Sequence, residues 1–203
     1  MKRPWIFLFL LLCLSCPALS ETIELDVPLY LQKDARWADV LLSPKSQSGR
    51  TIGQAGCTLC ALASVESLRR SSPIQPDAML DELEMDLRDE LHWPRDYEAL
   101  ANSREGLLVR QAAPILLACL RRGRPVLMGL YSKKLGHHWV VIYGCRDLDP
   151  DNPQTAHFLI RDPGTKWRTT LNETKEHFPE IRILRTYGVD EELRVLAEKA
   201  VHP

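Results

Sequence analysis

Four residues of the chain have the types and the order that thiol-dependent hydrolysis requires. They are Gln32, Cys57, His138 and Asp162. This chemistry needs a thiolate nucleophile, a histidine that shares its proton, a group that orients the histidine, and donors for the oxyanion. Cys57 begins a run with small and apolar residues at helical spacing, which predicts that it lies in the first turn of a helix. There, the free N–H groups and the helix dipole favour a thiolate over a thiol.

His138 and Asp162 fall on two neighbouring predicted strands. His138 begins the strand over residues 138–144, and Asp162 directly follows the strand over residues 157–161. The connecting segment contains Asp, Asn and Pro residues, which are typical of a turn. In such an antiparallel hairpin the two side chains lie at the same end of the ribbon, within pairing range. His137 is the rival to His138, because adjacent residues of a strand face opposite sides.

Cys57 has other interpretations besides that of a nucleophile. Cys57 and Cys60 form a C-x-x-C pattern at a helix start, which is typical of thiol–disulfide redox sites. A thioredoxin-like site follows a buried apolar strand, however, and residues 46–53 do not have that character. Haem attachment would require a histidine where Ala61 stands, and no zinc-ligand spacing is present. A Cys57–Cys60 disulfide that silences the thiol and an inert buried cysteine both stay open.

The segments that must position these residues predict an α+β fold with N-terminal helices followed by an antiparallel sheet. Helices are predicted over residues 57–69, 76–87 and 109–121. Strands are predicted after them over residues 125–131, 138–144, 157–161 and 182–186, before a terminal helix over residues 191–200. This order of elements is typical of α+β domains. Residues 25–32 are expected to be extended, and residues 91–107 to be irregular because prolyl and glycyl breakers interrupt them.

The charge balance and the N-terminal segment predict an exported protein of one domain. The 203 residues contain 26 Lys and Arg against 27 Asp and Glu, without a basic stretch, which argues against nucleic acid as a partner. Residues 1–20 combine a basic start, an apolar run too short to span a membrane, and small residues at the end, as signal peptides do. Lipid attachment through Cys16 is the alternative. We expect the mature domain, residues 21–203, to have no membrane span and to be periplasmic or secreted in a bacterium.

Five segments in the same order resemble the bacteriocin-processing family of cysteine peptidases, in particular its stand-alone exported branch. They are VPLYLQ at 27–32 with Asp34 and Trp37, TIGQAGC at 51–57, RGRPV at 122–126, HWVVIYG at 138–144 and IRDPG at 160–164. The resemblance implies a papain-like fold. It also implies that Cys57 is the nucleophile, His138 the general base and Asp162 the orienting group. Gln32 would be the side-chain oxyanion donor beside the Cys57 N–H, with Gln54 as the fallback.

The resemblance implies an exported cysteine peptidase-like hydrolase that cleaves a peptide or amide bond. Its partner would be a peptide or protein substrate. We expect the protein to be a monomer and its reaction to need no cofactor or metal. Relatives usually carry Gly-Pro after the nucleophile, whereas Thr58 and Leu59 stand here, so the resemblance does not determine the shape of the substrate side. A non-catalytic peptide-binding protein on the same fold is the alternative, because a fold does not determine a function.

Overall fold

The computed structural model describes residues 20–44, 48–83 and 91–201, and it has a mixed α/β architecture. Six strands form one antiparallel sheet in the order β1-β4-β3-β6-β2, with β5 paired to β4 outside this path. The strands are β1 (Glu21–Glu24), β2 (Tyr97–Leu107), β3 (Val126–Ser132), β4 (Gly136–Leu148), β5 (Phe158–Arg161) and β6 (Glu180–Tyr187). The helices are α1 (Ile52–Ala55), α2 (Cys57–Arg69), α3 (Pro76–Leu80), α4 (Val109–Arg121), α5 (Leu171–Lys175) and α6 (Glu191–Val201), with a 3-10 turn at Thr155–His157. The predicted α+β class is confirmed.

The sheet has a hydrophobic core on each face. Along β3 and β4, successive side chains point to opposite faces. Met128 and Val140 pack with residues of α4 and α6 in one core. Leu127 and Val141 pack with residues of α2 in the other. The central strands are therefore buried on both faces, which explains their nearly continuous apolar sequence.

Close packing explains the glycines that precede Cys57. A Cβ atom at Gly56 would lie 2.5 Å from the carbonyl oxygen of Ile52, and one at Gly53 would lie 2.9 Å from that of Ala38. Any larger residue would push α1 away from its neighbours. The junction therefore sets the position at which α2 begins, and the predicted helix from Cys57 to Arg69 is confirmed.

Residues 91–107 differ from the expectation. The prediction of irregular structure is wrong from Tyr97 onwards, where β2 begins. The register between β2 and β6 shifts between Ala99 and Ala101 and again between Asn102 and Leu107. Such bulges interrupt the alternation by which a strand is recognised. Because β1 and β2 belong to the same sheet, the expected order of helices first and strands second holds only in part.

Other predicted segments are described incompletely or lie elsewhere. The predicted signal peptide lies outside the described residues except for Ser20. The helix predicted over 76–87 begins at Pro76 as expected, but α3 ends at Leu80, and residues 84–90 are outside the described part. The first strand precedes the extended segment predicted over 25–32. None of the helices in the described ranges is long and apolar enough to cross a membrane.

Candidate active site

Cys57 is the first residue of α2, and its side chain is half-buried. Around the junction between α1 and α2, the Gly56 N–H donates to Ile52 O at 2.8 Å and the Cys60 N–H donates to Gly56 O at 2.9 Å. The Gly53 carbonyl, one helical turn before Cys57, accepts a hydrogen bond from Gln32 Nε2 at 3.2 Å. Within the described part of the chain, no acceptor is bonded to the Cys57 N–H. This N–H is therefore available to a substrate oxygen.

His138 and Asp162 form a buried hydrogen-bonded pair at one end of the β4–β5 hairpin, as the turn signals predict. His138 Nε2 lies 2.7 Å from Asp162 Oδ1, with the His138 residue 7% exposed and Asp162 0% exposed. An ionised carboxylate only accepts hydrogen bonds, so Nε2 carries the proton in this pair. The other ring nitrogen, Nδ1, is left for proton exchange with Cys57.

Asp162 has two further partners. The Gly164 N–H donates to Oδ1 at 2.8 Å, and Arg168 Nη1 donates to Oδ2 at 3.1 Å. Both oxygens of the carboxylate therefore accept hydrogen bonds, which fixes its orientation. A Cβ atom at Gly164 would lie 3.1 Å from Asp162 Oδ1 and 3.4 Å from His138 Cε1, so the chain passes directly against the pair.

The electrostatics favour an ion pair between Cys57 and His138. Burial opposes ionisation of the Cys57 thiol, but the hydrogen bond and charge of His138 outweigh it, so the pKa of Cys57 lies below its ordinary value. Burial also opposes protonation of His138, yet Asp162 and Cys57 outweigh it and raise the pKa of His138 to about 9. Burial likewise opposes ionisation of Asp162, but the hydrogen bond and charge of His138 outweigh it. The pKa of the Asp162 carboxyl is therefore lowered. The three shifts favour thiolate, imidazolium and carboxylate together.

The structure separates His138 from its rival. His137 is exposed and lies against Tyr131, with ring centroids 4.9 Å apart. His138 instead stacks on Phe178 and bonds Asp162. The alternation of the strand therefore directs only one of the two histidines to the buried carboxylate.

Gln32 connects α1, which precedes Cys57, with the segment that follows Asp162. Its side chain donates to Gly53 in α1, and its backbone N–H donates to Pro163 O at 2.9 Å, directly after Asp162. The amide nitrogen has a second hydrogen that this bond does not use. Gln54 has a different role, because its exposed side chain accepts the Thr51 N–H at 3.0 Å as a helix cap.

The second cysteine of the C-x-x-C pattern is embedded in the core. Cys57 and Cys60 are both free thiols, and Cys60 is 0% exposed. Burial raises the pKa of Cys60, so this thiol stays protonated. The hypothesis of a Cys57–Cys60 disulfide stays a prediction. Among the described residues, no group of His, Cys, Asp and Glu side chains is arranged to hold a metal ion.

Sequence reasoning missed two residues of this site. Arg168 binds the buried carboxylate, and Phe178 stacks on the imidazole with centroids 4.7 Å apart. Both follow β5 in segments without strong periodicity, so no local pattern indicates their roles. The signal that the sequence offers for Arg168 is that it is a cation six residues after Asp162.

Comparison of the chain with protein-family models, curated proteins and solved structures found no match. The chemistry of the site therefore carries the functional proposal.

Proposed function

We propose that the protein is a cysteine peptidase-like hydrolase that cleaves a peptide or amide bond. The observation that carries the proposal is the buried His138–Asp162 pair acting on the Cys57 thiol at the start of α2. In this proposal the domain over residues 21–203 has a papain-like fold. It is exported from a bacterium after loss of a signal peptide, and it acts as a monomer on a peptide or protein. Neither cofactor nor metal takes part.

The reaction is acyl transfer in two steps. The Cys57 thiolate attacks the carbonyl carbon, the C–N bond breaks, and imidazolium His138 donates its proton to the departing amine. Water then attacks the thioester while His138 accepts its proton, and the acid and the Cys57 thiolate are released. Asp162 keeps the imidazole oriented throughout. The Cys57 N–H and the unused Gln32 N–H are the donors for the oxyanion.

Alkylation tests the reactivity of the thiol. Iodoacetamide at pH 6 is expected to modify Cys57 selectively, because a thiolate paired with His138 persists at a pH where ordinary thiols are protonated. Mass spectrometry of the alkylated protein identifies the modified residue, and Cys60→Ala serves as the matched variant with the nucleophile intact. Slow alkylation that follows an ordinary thiol profile would contradict the proposal.

Turnover tests the hydrolysis itself. Incubation with a peptide library, followed by mass spectrometry, is expected to yield cleaved products with the parent protein and with Cys60→Ala. Cys57→Ala should abolish cleavage while leaving the circular dichroism spectrum unchanged. Binding of peptides without cleavage, together with an unreactive Cys57, would instead favour a non-catalytic peptide-binding protein.

A further inference from the structure

Arg185 of β6 is a half-buried cation without an acidic partner in the described part of the chain. Its Nη1 donates to the carbonyl of Tyr97 at 2.8 Å, whereas its Nε is buried and has no hydrogen-bond partner among the described residues. Arg182 on the same strand is different, because it binds Glu180 at 2.6 Å. A desolvated charge is costly unless an opposite charge compensates it. An anion supplied by a ligand would compensate Arg185.

Two tryptophans connect Arg185 with the candidate active site. The Arg185 guanidinium lies over the Trp93 ring, 4.6 Å from its centroid. The Trp93 ring in turn lies 5.1 Å from that of Trp139, and both residues are half-exposed. Trp139 directly follows His138 in β4, and its backbone is one of the groups that lower the pKa of Cys57. A partly exposed aromatic surface therefore extends from the residue after His138 to a cation that has no acidic partner among the described residues.

Strand pairing holds this surface in place. A Cβ atom at Gly129 would lie 3.3 Å from carbons of the Trp139 ring, so the ring rests directly on β3. Gly129 pairs with Trp139 on one side and with Ile183 on the other. Arg185 lies beyond Ile183 on the same face of β6, where it pairs with Leu127.

The spacing corresponds to a short stretch of peptide. Neighbouring strands are about 4.8 Å apart and extended residues rise about 3.3 Å each, so the Trp139 and Arg185 backbones are about 12 Å apart. An extended peptide covers this separation with about three or four residues.

We propose that Trp139, Trp93 and Arg185 form a substrate subsite for acidic peptides. The guanidinium binds an Asp or Glu carboxylate about three or four residues from the part of the peptide that lies at Trp139, and the indole rings pack against the intervening residues. The position of the cleaved bond rests on the proposed function. The recognition of a carboxylate does not depend on it.

Binding to the Cys57→Ala protein tests the subsite without turnover. The probes are fluorescein-labelled peptides in which a single Glu is moved along an otherwise neutral sequence, each with Gln and Lys counterparts. Fluorescence anisotropy is expected to show, for one Glu position, about tenfold tighter binding than for Gln, and still weaker binding for Lys. Equal affinities for the Glu and Gln peptides at every position would overturn the proposal.

Substitutions assign the preference to Arg185. In the Cys57→Ala background, Arg185→Gln should abolish the Glu preference, whereas the control Arg182→Gln should retain it. A preference that survives Arg185→Gln overturns the assignment. If Arg185→Gln does not fold, the Glu and Gln peptides still decide the question with the Cys57→Ala protein.

The two proposals fail separately. An Arg185-dependent preference for Glu in a protein whose Cys57 neither alkylates at pH 6 nor cleaves peptides supports the subsite and contradicts hydrolysis. Cleavage by Cys57 without any preference for acidic peptides supports hydrolysis and contradicts the subsite.

Discussion

The imidazole of His138 stacks on the ring of Phe178, with centroids 4.7 Å apart and ring planes inclined by 23°. Phe178 is 9% exposed and follows α5. It places an apolar surface against the ring that also bonds Asp162. The stacked ring holds the imidazole in position against the carboxylate, whereas the burial it contributes opposes protonation of His138.

Loss of the Phe178 ring should therefore affect both stability and the thiol. Phe178→Ala is expected to lower the free energy of unfolding by about 3 kcal/mol and to slow alkylation of Cys57 at pH 6. Phe178→Leu keeps an apolar surface and should lose less of both. Urea denaturation and iodoacetamide kinetics provide the two measurements. Reduced stability with unchanged alkylation would show that Phe178 only fills the core.

The pH dependence of hydrolysis should be bell-shaped. The ion pair that the proposed mechanism requires is expected above the lowered pKa of Cys57 and below the pKa of about 9 for His138. Activity should therefore fall with acid as the thiolate is protonated. It should fall again near pH 9, as His138 loses the proton that the leaving amine needs.

Asp162→Asn tests the origin of the alkaline limb. The carboxylate is a main cause of the raised pKa of His138, so its neutralisation should move the limb to lower pH. Measurement of kcat/KM from pH 5 to pH 10 reveals the shift. An alkaline limb that stays in place would separate Asp162 from the titration of His138.

Arg168 is expected to act as a positioning residue through Asp162. It lies 3.1 Å from Asp162 Oδ2 and contributes to the lowered pKa of that carboxyl. Arg168→Gln should raise the pKa of Asp162, so that protonation of this carboxylate adds to protonation of the Cys57 thiolate on the acid side and reduces activity at pH 5 by about tenfold. Arg168→Lys should restore part of the loss.

Arg146→Gln is the control for Arg168, because Arg146 has a side chain that is 60% exposed. It should leave the pH profile unchanged. An equal loss at all pH values in Arg168→Gln would indicate a merely structural role for Arg168.

Substitution of Gln32 should affect kcat, whereas substitution of Gln54 should affect the free energy of unfolding. Gln32 is an oxyanion donor in the proposed mechanism, so Gln32→Ala is expected to lower kcat by about a hundredfold or more. Gln54→Ala removes a helix cap, so it should lower the free energy of unfolding by about 1 kcal/mol and leave kcat nearly unchanged. Steady-state kinetics and urea denaturation of both variants test this. A larger loss of kcat in Gln54→Ala would exchange the two assignments.

Local sequence patterns were sufficient for the parts of the site that lie on regular elements. The spacing after Cys57 predicted α2, and turn residues between two apolar runs predicted the hairpin that brings His138 to Asp162. These inferences succeed because helical periodicity and turn chemistry act over a few residues. Strand alternation alone does not choose between His137 and His138, and the structure shows that His138 meets the carboxylate.

Tertiary structure alone decided what surrounds those residues. β2 was missed because it is recognised only through its bulged pairing with β6, which lies far along the chain. The contacts of Arg168 and Phe178 with the His138–Asp162 pair likewise depend on how distant segments pack, as does the lack of an acidic partner for Arg185 within the described ranges. The amino-acid sequence alone determined the types of the reactive groups and the elements that carry them. Packing decided their ionisation and their neighbours, because burial and opposing charge exist only once the chain has folded.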